Sequence, residues 1–136
     1  MIVVDTSAIM AIDLEEPGAA SLVTRLQSRA TRLIPASAVL ETTMVLSRTH
    51  GDPKAALDGY IAKMGLSVIP IDDAIVAAAQ QAFLRFGKGR HPAGLNVGDC
   101  FSYALSRSLD QPLLFKGNDF PQTDVECHPA SRPGNN

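Results

Sequence analysis

The sequence predicts an α/β domain with a mostly parallel central sheet flanked by helices, and three observations carry that expectation. Short apolar runs rich in β-branched residues alternate with longer stretches of helical periodicity, as in a parallel sheet covered by helices. The first such run passes straight into helix-capping residues, which opens a βα unit. A chain of 136 residues has room for one domain, and this one carries neither an internal repeat nor an interior linker.

Taken in order, Ile2-Val3-Val4 suits a strand buried on both faces, and Asp5, Thr6 and Ser7 offer cap side chains to a helix beginning at Ala8. Glu15-Glu16-Pro17 starts a second helix, with Pro17 in its first turn and Ala20, Val23 and Leu26 along one side. Arg32-Leu33-Ile34-Pro35 reads as a brief strand ended by proline. Ser37 then precedes a buried helix from Ala38 to Leu46, and Asp52-Pro53 opens a fourth that runs to Met64. After a strand at Ser67–Ile71, Asp72 and Asp73 cap a fifth helix carrying Ile75, Ala79, Ala82, Phe83 and Phe86. A glycine- and base-rich loop, Phe86–Pro92, leads into a sixth helix over Asn96–Leu109. Strands are expected at Pro112–Phe115 and Thr123–Glu126. The Pro, Gly, Ser and Asn that follow predict fraying, so the domain covers 1–128 and a flexible tail 129–136.

Composition narrows the function. Hydrophobic residues make up 46% and charged residues 19%, which excludes a disordered chain or a coiled coil. A net charge of −2 excludes a generic polycation that holds nucleic acid by bulk charge, though not a local basic patch. The N-terminal residues lack signal-peptide features, and no apolar run approaches the roughly 20 residues of a bilayer span. Cys100 and Cys127 lack the spacing of a zinc or redox pair and read as reduced thiols filling core space. A soluble, cytoplasmic protein is expected.

In parallel sheets ligands gather outside the carboxyl ends of the strands, which directs attention to the acids found there. Asp5 follows the first strand, where it is either a helix cap or a site residue. Glu41 shares a mainly apolar helix face with Ser37, Ala38, Met44 and Val45. A carboxylate turned inward neutralises or finds a cation, either an arginine such as Arg25 or Arg48, or a metal ion. Asp99 lies in the first turn of the sixth helix, on a polar stripe with Ser102, Tyr103, Ser106 and Asp110. Such a stripe is ordinarily a solvated face. Asp119 follows the strand ending at Phe115, in good turn chemistry, Gly117-Asn118-Asp119. Singly each has an ordinary explanation. Together they form the oxygen-rich set that hard divalent cations such as Mg²⁺ or Mn²⁺ prefer, suited to activating water against a phosphodiester.

Four segments in this order, Ile2–Ala8, Ser37–Glu41, Leu95–Ala104 and Leu113–Phe120, resemble the PIN-domain ribonucleases, specifically the VapC-type toxins of type II toxin–antitoxin pairs. The likeness runs from residue 1 to about 126, and the last two segments are its most specific part. It implies a single PIN-like domain and a Mg²⁺- or Mn²⁺-dependent endoribonuclease. Asp5 and Asp99 would be the principal metal ligands, Glu41 and Asp119 would complete the acidic site, and Thr6 or Ser7 would supply a supporting hydroxyl. It further implies a homodimer and a cognate VapB antitoxin whose tail lies across the active-site groove, with larger complexes built from the two. Gly117 stands where many PIN domains have an acid, so Asp119 is the carboxylate available in that stretch.

Lys88, Arg90 and His91, in the loop before Asp99, are candidates for holding RNA phosphates, and Lys116 for touching a scissile phosphate or neutralising an acid. Arg25, Arg29 and Arg32 are expected to decorate a helix face or meet a partner's acids. Rival readings fare worse. A haloacid-dehalogenase-type phosphatase needs a second Asp two residues after the first, where Ser7 stands. A response-regulator receiver needs an Asp after a middle strand, and none follows Leu33-Ile34 in the required place. The serious alternative is a catalytically silent PIN fold that only binds RNA or an antitoxin.

Overall fold

The computed structural model describes residues 1–26 and 30–131, with the side chains of 25 and 26 outside that description. The sequence readings of Arg29 and of the Arg25 side chain therefore fall outside the described residues. Four parallel strands, β1 (Ile2–Val4), β2 (Arg32–Pro35), β3 (Leu66–Ile69) and β4 (Leu113–Leu114), form one sheet in the order β3-β2-β1-β4. Among the described residues six α-helices flank it: α1 (Thr6–Asp13), α2 (Ala19–Leu26), α3 (Ala36–Leu46), α4 (Pro53–Met64), α5 (Asp73–Phe86) and α6 (Val97–Leu109).

Strand side chains alternate between two cores. Val3 and Leu113 point to the side packed by α5 and α6, with Phe86, Tyr103, Phe115 and Phe120. Ile2, Val4, Ile34 and Leu114 point to the other, with Ile9, Leu22, Leu46 and Leu57. The order of strands reverses between β1 and β4, so their carboxyl ends flank a switch point, where such sheets hold ligands. Asp5 leaves β1 on one side of it and Lys116 to Asp119 leave β4 on the other.

Several boundaries differ from expectation. α2 starts only at Ala19, because Glu15 takes a left-handed conformation (φ 51°) and Gly18 another (φ 88°), forming a turn where helix was predicted. Its inward residues are Ala19 and Leu22; Ala20 and Val23 face solvent. α3 begins directly after β2, with Pro35 as a cap that has no side-chain bond, so Ser37 lies inside the first turn and is not a cap. The strand expected at Thr123–Glu126 reduces to a bridge between Leu113 and Cys127, preceded by a 3₁₀ turn at Phe120–Gln122. Within the expected tail Pro129–Ser131 form a 3₁₀ turn with Ser131 buried, and 132–136 lie outside the described residues. The cysteines are free, Cys100 buried and Cys127 partly so.

Candidate active site

Asp5 is set by the βα junction. As the cap of α1 its Oδ2 accepts the Ser7 amide at 2.9 Å and the Ser7 hydroxyl at 2.6 Å. Ser102, on α6, donates its hydroxyl to the other oxygen, Oδ1, at 2.5 Å. Only 3% of the residue is exposed, so this carboxylate has one orientation. Ser7 also accepts the amide of Lys116 at 3.0 Å, which joins the exit of β4 to that of β1.

Asp99 is held by a reciprocal cap at the start of α6. Its amide donates to Asn96 Oδ1 at 2.9 Å, and its own Oδ2 accepts the Asn96 amide at 3.0 Å. Burial pushes its carboxyl up to about 7; the Asn96 amide opposes this, and the charges of Asp5, Glu41 and Asp119 add to it. Glu41 reaches the same place from the second turn of α3. Burial raises its carboxyl, a Thr6 hydrogen bond opposes the rise, and the charge of Asp5 adds to it. Thr6 also shares a 3.0 Å hydrogen bond with the buried Thr42.

The four acids thus act on one another across the carboxyl edge. Among the described side chains Glu41 meets no arginine: Arg48 is exposed, the Arg25 side chain lies outside the description, and none of the four acids takes part in an ion pair among the described residues. The face around Glu41 is also less enclosed than its sequence suggested, since Met44 is 62% exposed. Asp119 stands exposed at the head of the 3₁₀ turn at Phe120, without a capping bond of its own.

Most of the polar stripe of α6 is not solvated, although Asp110 at its end is exposed. Ser102, Tyr103 and Ser106 are buried, because β1 covers one flank of the helix and α5 another. Ser102 bonds Asp5, Ser106 bonds the Gln111 carbonyl, and Tyr103 donates to Asp124, which also meets Arg85 at 3.0 Å and Arg107 at 3.8 Å. Of the basic candidates, Lys116 turns from the acids and donates to the Pro17 carbonyl at 2.5 Å. Arg90 bonds the Leu84 carbonyl and lies over Phe83. His91 accepts the Ala93 amide at Nδ1 and packs edge-on against Phe86. Lys88 remains exposed in the same loop. Arg32 donates to the Met64 carbonyl at 2.7 Å rather than decorating a helix.

Sequence reading missed Ser102, Thr42 and Gly98. Ser102 follows Asp99 by three residues, a spacing that places both on one helix face. Gly98 is a residue disfavoured within helices standing in a first turn, a signal of close approach. Thr42 carries no signal of its own.

Every donor gathered at this edge is an oxygen, the chemistry of a hard divalent cation. Among the described residues no three acidic, His or Cys side chains are arranged as a ready-made metal shell. Mg²⁺, however, is commonly held by one or two carboxylates together with waters and substrate phosphates, and the buried Asp5 with Asp99 meets that smaller need.

A parallel sheet with carboxylates gathered at its switch point defines a class of α/β domain with an acidic edge. Residues 2–126 match the family model of the PIN domain. The chain is 43% identical over 124 residues to Ribonuclease VapC of Mycolicibacterium smegmatis, covering 90% of this chain and 96% of that one. It is 40% identical to Ribonuclease VapC30 of Mycobacterium tuberculosis, covering 90% and 95%. Its fold is similar to that of Mycobacterium tuberculosis VapC20, a Sarcin-Ricin loop cleaving toxin, with TM-score 0.70 at 18% identity, covering 95% of this chain and all (100%) of that one. It is also similar to a chain of VapBC2 from Rickettsia felis, with TM-score 0.71 at 13% identity, covering 93% and 96%. The chain belongs to the PIN-domain family, in its VapC group.

Proposed function

We propose that this chain is the toxin of a type II toxin–antitoxin pair, a Mg²⁺- or Mn²⁺-dependent endoribonuclease held inactive by a cognate VapB-type antitoxin. One observation carries the reading furthest: Asp99 is half-buried among the charges of Asp5, Glu41 and Asp119, with no ion-paired cation among the described residues to offset them. Such a group is costly unless it serves a cation-dependent site.

Asp5 and Asp99 would hold the ion, with Glu41 and Asp119 completing the acidic edge. The ion, when bound, supplies acidity to a coordinated water and offsets charge on the phosphodiester. Glu41, its carboxyl raised by burial, would orient water at this edge and hold a proton on its carboxylate. Ser7, Ser102 and Thr6 are the supporting hydroxyls, the first two fixing Asp5 and the third steadying Glu41. The Lys88–His91 loop supplies a basic flank for RNA, with Lys88 the residue most available to a phosphate.

The protein acts in the cytoplasm as a homodimer. No helix among the described residues is long and apolar enough to cross a membrane. A furrow between α5 and α6, lined by Val76, Phe83, Val97 and Phe101, supports pairing, and Val97 is 76% exposed.

Purified protein, labelled structured RNA and Mg²⁺ or Mn²⁺ provide the test. Cleavage is expected, and its loss in Asp5→Ala and Asp99→Ala. If either variant cuts as fast as wild type, the acid assignment is wrong. If wild type cuts no RNA yet binds its antitoxin, the chain is a silent binding module.

A further inference from the structure

Gly98 occupies the second position of α6, between the cap Asn96 and Asp99. A β-carbon there would fall inside the carboxylate of Glu41, 2.6 Å from Oε1 and nearer still to Cδ and Oε2. Glu41 therefore rests against the bare Cα of Gly98, with its charge beside the N-terminal turn of a helix of 13 residues. That placement is favourable for an anion, since the helix dipole is positive at this end. Nothing in the backbone demands glycine here, because Gly98 has no left-handed φ, unlike Gly18, Gly65, Gly89, Gly94 and Gly117. In a helix interior glycine costs up to about 1 kcal/mol relative to alanine, so its reason must lie in the space it leaves.

We propose that Gly98 is a positioning residue: the slot left by its missing side chain seats Glu41 beside Asp99, and any side chain at 98 evicts it. The inference rests on reading the acidic edge as a metal-dependent nuclease site. Because the obstructing atoms belong to the free end of a flexible side chain, a β-carbon at 98 swings Glu41 aside and leaves the fold intact. Substitution by a better helix former should thus damage the site while preserving or improving stability. No other described glycine places its Cβ position against an acid of the site.

The test compares wild type, Gly98→Ala, Glu41→Asp and the double variant. Mn²⁺ affinity is read by calorimetry, cleavage on labelled RNA, and thermal midpoint without metal. Gly98→Ala is expected to weaken Mn²⁺ binding about tenfold or more, as loss of a group that orients a metal site does. Its thermal midpoint should stay level or rise. Glu41→Asp shortens the side chain by one methylene, so alone it should weaken binding, yet in the Gly98→Ala background it should restore part of what was lost. A metal-free crystal structure of Gly98→Ala should show the Glu41 carboxylate displaced from α6. Wild-type affinity in Gly98→Ala, or strictly additive losses in the double variant, would overturn the slot. If wild type neither binds Mn²⁺ nor cuts RNA, the nuclease reading falls, while the crystal structure still decides whether Gly98 seats Glu41.

Discussion

The Ser102 hydroxyl donates to Asp5 Oδ1 at 2.5 Å, tying residues 97 positions apart. The bond locks the first strand's acid to the helix that begins with Asp99. Removing it leaves one oxygen of a buried carboxylate short of a donor. Ser102→Ala is expected to lower stability by about 1.5–3 kcal/mol, the range for hydrogen bonds to charged groups. Urea denaturation at neutral pH measures this, and a change within error would show that Oδ1 is otherwise satisfied.

Asp5→Asn and Asp99→Asn keep the shape of each side chain while removing charge from the acidic edge. Cleavage should fall more than about 100-fold in each, with far-ultraviolet circular dichroism unchanged. Activity near wild type in either variant would remove that residue from the site.

Asp99 carries a pH signature. Its carboxyl titrates near 7 in the folded chain against an ordinary 3.8, so the folded state binds the proton more readily than the unfolded one. Stability from this group is full below the ordinary value and is lost as pH rises through about 7. In chelator, Asp99→Asn should gain stability relative to wild type as pH climbs through that window. A gap that stays constant with pH would contradict it.

The lysines separate by what they touch. Lys116 is engaged by Pro17, whereas Lys88 stands exposed in the loop before α6. Lys88→Ala should weaken RNA binding and reduce the slope of log affinity against log salt by about 1, as loss of one phosphate contact does. Lys116→Ala should leave that slope unchanged. Equal slopes for both variants would remove Lys88 from the RNA path.

Tyr103 and Asp124 join α6 to the segment following Asp119. Tyr103→Phe should cost about 1 kcal/mol and speed amide hydrogen exchange over residues 120–126. Unchanged exchange there would mean that Arg85 and Arg107 hold Asp124 without it.

Much of this was legible in the chain. Asp5 and Asp99 were readable because each combines a cap position with a strand end or helix start, and local rules govern both. Ser102, Tyr103 and Ser106 were misread because one helix face was assumed to meet solvent, whereas α6 is covered on two flanks. That is a property of tertiary packing, invisible to periodicity. The contact of Lys116 was not foreseen because closeness in sequence to Asp119 says nothing of direction, and its ammonium donates to the Pro17 carbonyl in the α1–α2 turn. The extra strand at Thr123–Glu126 failed because the Thr123 hydroxyl there closes a turn on the Phe120 carbonyl and the Val125 amide, and the bridge to Leu113 falls just beyond it, at Cys127.

The turn at Pro129–Ser131 has a consequence for how copies of the chain can associate. β4 is two residues long, and its outer flank is already taken. The Leu113 amide donates to the Glu126 carbonyl, the Leu113 carbonyl accepts the His128 amide, and the Ser131 hydroxyl accepts the Phe115 amide. A side-chain hydroxyl thereby finishes a ladder that a fifth strand would otherwise continue. Foreign β-strands are shut out on this border, and sheet-extending aggregation is confined to the opposite one, where Val68 of β3 stands 46% exposed.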